Sequence, residues 1–149
     1  MILRGDKDRD TKIVDIDSLN KVLENEIRLA DKAIIIDGHY SHELLYEKEV
    51  TLVILLRKAP WELQEILQKK NYNNKKILEN LEAEIMGVIA VEVRERYPLE
   101  KIHEVDTTGK SIDDLVQEII RVINGEITTN PQLIDWLTYP GTMSVLMNK

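Results

Sequence analysis

The segment Ile34-Ile35-Ile36-Asp37-Gly38-His39 sets a carboxylate and an imidazole two residues apart at the end of a β-branched run. A carboxylate at the C-terminal end of a buried parallel strand lies where α/β proteins form ligand sites. In phosphoryl transfer such an Asp orders the shell of a magnesium ion. From that position His39 can hold a water or a phosphate. The same residues also read as an Asp-Gly turn beside a surface histidine. Arg57 stands just after a second apolar run, where a guanidinium can face phosphate oxygens or simply flank a helix. Residues 69–76, KKNYNNKK, gather four lysines around a polar turn. A cationic flap of this kind can close over a transferring phosphate and exclude water. A solvated helix–helix connection produces the same charge run.

A fourth segment imitates a phosphate-binding loop. Gly109-Lys110-Ser111 follows an apolar run and precedes a helical pattern. The pattern G-x-x-x-x-G-K-[ST] requires its first glycine at position 104, and Glu104 stands there. A carboxylate there repels phosphate and blocks close backbone approach. The segment is therefore no Walker A loop, and a loop flanking a purine base is the better reading. The other glycines, Gly5, Gly38, Gly87, Gly125 and Gly141, form no phosphate-cradling pattern. There is no cysteine, which excludes disulfides and thiolate-bound zinc. His39, His42 and His103 make no His-x-x-x-His pair, so a zinc hydrolase does not fit.

The elements that must position these groups follow from periodicity. Residues 1–11 are charged and read as a frayed tail, followed by a short strand at 12–16. Asp17 or Ser18 is placed to cap a helix running to about Leu29. Residues 33–36, 50–56 and 101–105 are apolar runs without alternation, as expected of strands buried on both faces of a parallel sheet. Pro60 suits the first turn of a helix over 61–69. One long helix is expected from about 74 to 96, with Ile77, Leu81, Ile85, Val88, Ile89 and Val93 on one face. Ser111 caps a helix over 112–123 that Gly125 ends. The tail 126–149 carries Trp136, Tyr139 and Pro140 without clear periodicity. Strands alternating with helices give an α/β domain with a parallel sheet, and the chain reads as one domain.

With 149 residues, 43% hydrophobic and 32% charged, the chain can build one core. No apolar run reaches the roughly 20 residues that span a bilayer, and the start does not read as a signal peptide. No membrane association is expected, and a cytoplasmic setting is. A net charge of −7 argues against a broad nucleic-acid footprint. It leaves room for a basic protein partner.

Taken in order, these segments resemble the archaeal-type adenylate kinases, a family whose nuclear members also act in small-ribosomal-subunit maturation. Residues 34–42, IIIDGHYSH, resemble its Asp-x-His Walker B motif. Leu55-Leu56-Arg57 resembles the following strand. Residues 71–84, NYNNKKILENLEAE, resemble the lid and the helix after it, with Glu79-Asn80 and Glu82-Ala83-Glu84 matching closely. Residues 105–110, VDTTGK, resemble the loop beside the adenine, and Asp135-Trp136 a short C-terminal motif.

The resemblance implies a P-loop kinase-like, three-layer parallel sheet flanked by helices. It implies adenylate kinase activity (ATP and AMP to two ADP), ATP hydrolysis, and ATP and Mg2+ as cofactors. Asp37 then lies on the metal side as ligand and catalytic residue, and His39 beside the phosphates. Arg57, Lys70 and Lys110 bind nucleotide, Lys110 near the adenine, with a lid at about 69–78. A platform protein of the small ribosomal subunit is the implied partner.

The family pattern begins with a strand, a Gly-rich loop and a helix that these residues do not contain. The chain is thus expected to be an incomplete kinase domain, inactive alone, with an open sheet able to pair with a second copy. The lid reads Lys70-Asn71-Tyr72 where the family has Arg-Gly-Tyr, and Ile66 occupies a position that is often Arg. Lysine keeps the charge but loses the planar fork that grips phosphate oxygens in pairs. The alternative reading is a degenerate, non-catalytic kinase acting as a protein-binding module.

Overall fold

The computed structural model describes residues 2–6 and 11–147, and the chain forms two compact units, Met1–Val50 and Thr51–Lys149.

In the first unit, β1 (Ile2–Asp6) and β2 (Thr11–Val14) pair antiparallel, with Arg4 opposite Ile13 and Asp6 opposite Thr11. Within the expected frayed tail, Ile2–Asp6 is therefore a strand, while residues 1 and 7–10 lie outside the described residues. Charge speaks to solvent, whereas backbone pairing satisfies the peptide groups whatever the side chains are.

Helix α1 (Ile16–Leu29) is capped two residues earlier than expected. The Asp15 carboxylate accepts from the Ser18 amide at 3.0 Å and the Ser18 hydroxyl at 2.6 Å. Those bonds hold the Asp15 carboxyl below its usual range. Residues 33–36 are no strand: they run without a ladder, and Ile35 is 87% exposed. A β-branched run becomes a strand only where another strand accepts its backbone groups. The short α2 (Ser41–Leu44) follows.

The second unit is the α/β body that the alternation of elements requires. Strands β3 (Val53–Arg57) and β4 (Ile102–Asp106) are parallel and in register from Val53 opposite Ile102 to Arg57 opposite Asp106. Arg57 thus ends the strand from within. Among the described residues no strand pairs with the other edge of β3.

Helices surround this pair: α3 (Pro60–Lys69), α4 (Asn74–Ile85), α5 (Val88–Arg96), α6 (Ile112–Ile123) and α7 (Pro140–Met147). Pro60 occupies the first turn of α3, and Ser111 caps α6, as the sequence indicates. The long helix expected over 74–96 is two. Gly87 takes φ 62°, a left-handed conformation that ends α4 and starts α5. Ile77, Leu81 and Ile85 of α4 and Val93 of α5 are buried as expected, whereas Val88, at the start of α5, is exposed. The unpatterned tail contains a 3-10 turn at Trp136–Thr138 and then α7. Among the described residues no helix is long and apolar enough to cross a membrane.

Leu67, Ile77, Leu81 and Val145 form a core between the α3–α4 hairpin and α7, joined by Trp61, Leu63 and Tyr72. Trp61, Trp136 and Tyr139 pack edge-on or tilted, with ring centres 5.2–6.4 Å apart. Gly141 lets α7 approach, because a Cβ there would lie 2.5 Å from the Trp61 ring. Overpacking of that kind costs about 1–3 kcal/mol, more than the roughly 1 kcal/mol by which Ala outranks Gly in a helix. Gly141→Ala is expected to lower the unfolding free energy measured in urea. An unchanged or raised value would mean that α7 does not press on Trp61.

Candidate functional site

In the first unit, Asp37 and His39 lie on an exposed turn after residues 33–36. The Ser41 amide and hydroxyl both donate to the Gly38 carbonyl, at 3.2 and 2.7 Å, which fixes the turn that carries both side chains. Neither Asp37 nor His39 makes a side-chain hydrogen bond or ion pair with another described residue. Mg2+ takes one or two protein carboxylates and fills its octahedron with water and substrate phosphate. A single unpaired carboxylate fits one such position. The described residues hold no cluster of three or more acidic or histidine ligands.

In the second unit the network around Arg57 dominates. Arg57 is 2% exposed, at the C-terminal end of β3. Its Nε donates to Glu84 Oε1 at 2.9 Å, and Nη2 to the Glu84 carbonyl at 2.9 Å. Nη1 donates to Glu104 Oε1 at 2.5 Å and to the Ile134 carbonyl at 3.3 Å. Glu104, fully buried at its side chain, also pairs with Arg94 and accepts the Ile134 amide at 3.1 Å. Glu84 Oε1 further accepts the Trp136 indole N–H at 2.7 Å and the Lys58 amide at 3.1 Å. Two guanidinium groups and two carboxylates therefore balance in charge, and every Arg57 nitrogen is engaged. In this structure the donors of Arg57 point inward and hold β3 to β4, to the end of α4 and to the segment before Trp136.

The loop after β4 is fastened to β3 and α3. The Thr107 amide and hydroxyl both donate to the Arg57 carbonyl at 2.8 Å, and the Ala59 amide donates to Thr108 Oγ1 at 2.9 Å. Lys58 Nζ bridges Glu62 at 2.7 Å and the Thr107 carbonyl at 3.0 Å. The Lys58 hydrogen bond, assisted by the Gly109 amide, holds the Glu62 carboxyl below its usual range. Gly109 turns the loop at φ 66° and delivers Lys110 to the surface, where Nζ pairs with Glu118 Oε2 at 2.6 Å. Ser111 is occupied as the α6 cap, and Glu104 is buried on two arginines. This segment is thus built as a supported turn and not as a phosphate cradle. Lys110, Glu118, Asp106, Asn130 and Tyr139 are among the residues lining an adjacent cleft of about 520 Å³.

The lysine-rich turn joins α3 to α4. Asn71 adopts φ 56°, and Asn73 caps α4 by accepting the Lys76 amide at 2.8 Å. Lys76 lies 4.1 Å above the Tyr72 ring. Lys70 is exposed, and its ammonium has no partner among the described residues.

Pairing of β3 with β4 brings Arg57 opposite Asp106, near the loop that carries Lys110. Asp37 and His39 belong to the first unit and share no described bond with each other. Sequence reasoning missed Glu84, Arg94 and the structural use of Glu104. The available signal was a carboxylate inside the apolar strand Ile102-His103-Glu104-Val105, since a charge on a buried strand must be paired.

Residues 1–87, more than half of the chain, match the family described as "AAA domain". The "Putative adenylate kinase" of Pyrococcus furiosus is 36% identical over 132 residues, covering 89% of this chain and 69% of the relative. That of Methanocaldococcus jannaschii is 36% identical over 131 residues, 88% of this chain and 68% of the relative. That of Methanosarcina barkeri is 35% identical over 141 residues, 89% of this chain and 74% of the relative.

Removing one member of a buried charge network strands its partners and costs about 3–5 kcal/mol. Glu104→Gln is expected to lose that much in urea unfolding, whereas Lys70→Ala, at an exposed and unpaired position, stays within about 0.5 kcal/mol. A Glu104→Gln loss below 1 kcal/mol would mean that water relieves the two arginines.

Proposed function

This chain belongs to the family of the archaeal proteins named putative adenylate kinase, and from that premise we propose that it is a nucleoside monophosphate kinase domain acting on ATP and AMP. In this reaction an oxygen of the AMP phosphate attacks the γ-phosphorus of ATP. The bond from that phosphorus to the β,γ-bridging oxygen breaks, and two ADP leave. The observation that carries the reading is identity of about one residue in three, extending over 89% of the chain, with relatives of that name.

The roles follow from which charged groups are unpaired among the described residues, Asp37 and Lys70, or held by one partly exposed partner, Lys110. Asp37 holds a position in the Mg2+ shell and His39 orients a phosphate or water. Lys70 approaches the transferring phosphate from the α3–α4 turn, and Lys110 meets the nucleotide from the β4–α6 loop. Bound Mg2+ offsets phosphate charge. Arg57 acts from beneath by holding the strand ends. The left-handed Asn71 stands where the family lid has glycine, and asparagine is a residue that tolerates this conformation. The turn geometry therefore survives the substitution. The 149 residues contain no G-x-x-x-x-G-K-[ST] loop, so a phosphate cradle must come from elsewhere for full rate.

The finer roles, ATP hydrolysis and small-subunit maturation with a basic platform ribosomal protein, rest on the family resemblance and on the net charge of −7. A cytoplasmic location goes with them. A second reading, a non-catalytic binding module, draws on Lys70 and Ile66 at lid positions that are arginine in the family pattern.

ADP formation from Mg-ATP, with and without AMP, tests the first reading. The expected result is low activity alone, raised when a separate strand–loop–helix polypeptide with a Gly-rich loop is added, and reduced about 100-fold or more by Asp37→Ala. No activity in either condition, with a platform protein bound equally well by Asp37→Ala and without ATP, would favour the binding module.

We also propose a homodimer through the edge of β3 with which no described strand pairs, since an open edge attracts another strand. Sedimentation is expected to give twice the 17.3 kDa chain mass. A monomer at micromolar concentration would discard the dimer.

A further inference from the structure

His103 is a buried histidine with one half of its chemistry unused. Strand β4 turns it inward, 4% exposed. Its Nδ1 accepts the Asn130 amide at 3.0 Å, which assigns the ring proton to Nε2. That Nε2–H has no hydrogen-bond partner among the described residues. The carboxylate Oε1 of Glu118 lies 3.9 Å from it, beyond hydrogen-bond range. The other oxygen of the same carboxylate holds Lys110 Nζ at 2.6 Å. Lys110, Glu118 and Asn130 all line the cleft beside the β4–α6 loop.

One carboxylate is thus placed between two donors and bonds to only one. Its present bond is a partly exposed ion pair, the kind that contributes little because water competes for both charges. The bond it does not make would satisfy a buried N–H, the kind of group that is costly to leave unpaired. Movement of Oε1 by about 1 Å would close that bond. The carboxylate is rigid, so a shift of Oε1 onto His103 also shifts Oε2 from its present place on Lys110 Nζ.

We propose that Glu118 is a two-position latch on Lys110, held outward by Lys110 in the free protein and released to His103 when a nucleotide acceptor atom takes the ammonium. This rests on the reading of Lys110 as a nucleotide contact. A ring nitrogen or a phosphate oxygen of the nucleotide serves equally as the acceptor. The latch keeps an unliganded lysine neutralised, and it returns a buried hydrogen bond when ligand arrives, so binding at Lys110 and order around β4 strengthen one another. Glu118 and His103 are positioning residues and touch no reacting atom.

Long-range proton–nitrogen NMR spectra of the three histidines read the latch directly. Lys110→Ala frees Glu118 without any ligand. The His103 Nε2–H proton is then expected to move downfield and to exchange about ten-fold more slowly, the protection given by a charge-assisted hydrogen bond. The double variant Lys110→Ala/Glu118→Ala should return the signal to its wild-type position. Mg-ATP added to the wild-type chain should shift the signal in the same direction as Lys110→Ala does, and Lys110→Ala should weaken Mg-ATP binding. A His103 signal unmoved by Lys110→Ala overturns the latch. A signal that moves in Lys110→Ala, with Mg-ATP affinity unaffected by that substitution, overturns the nucleotide role of Lys110 instead.

Discussion

The interaction on which the second unit depends is the buried pairing of Arg57 with Glu84 and Glu104. Two charges from adjacent parallel strands and a third from the end of α4 meet out of water, with Arg94 completing the balance. Burying ions is costly, and good geometry with every remaining donor satisfied is what offsets the desolvation. The arrangement meets that condition through backbone groups. Arg57 also takes the Glu84 and Ile134 carbonyls, and Glu104 takes the Ile134 amide. The Glu84 carbonyl lies in the last turn of α4, where it accepts the Gly87 amide at 3.1 Å and keeps a second lone pair for Arg57. It is exposed to Arg57 because α4 stops at Ile85 and Gly87 turns the chain. The helix break and the buried arginine are therefore one feature. A continuous helix would have directed that carbonyl to its own amide ladder.

From this anchor the candidate nucleotide-facing elements are built outward by progressively more exposed bonds. The Arg57 carbonyl holds Thr107, Lys58 and Glu62 brace the turn at Gly109, and Lys110 reaches solvent. The α3–α4 turn is supported differently, by a small apolar core under α7 and by the Trp61–Trp136–Tyr139 cluster. Trp136 joins the two supports, since its indole N–H bonds Glu84 while its ring packs on Trp61. A rigid base with exposed, sparsely bonded tips suits a site whose loops must close over ligand.

The basic groups sort by whether they are still free. Arg57 and Lys110 both carry charge near the ends of β3 and β4, yet one is saturated by protein and the other is held by a single, partly exposed carboxylate. Lys70 has no partner among the described residues. Asp37 is free in the same sense. Charged side chains kept without protein partners retain their capacity for a ligand's charge, whereas those bonded in the core have spent it on the fold.

The sequence by itself determined the elements whose signals are local. Pro60 at a first turn, Ser111 as a cap, Gly125 as a stop and the apolar runs of β3 and β4 all act within a few residues, and each element formed where those signals stand. It also excluded a phosphate loop at Gly109-Lys110-Ser111, because Glu104 cannot replace a glycine. Only the tertiary structure decided the rest. Residues 33–36 have the composition of a buried strand, but among the described residues no strand pairs with them. The hairpin of β1 and β2 depends on pairing across a connection, to which side-chain charge is blind. Whether Arg57 faces a phosphate or a glutamate turned on residues 27 and 47 positions away in the chain. No window of sequence contains both partners, and burial, which makes the choice energetically decisive, exists only once the chain has folded.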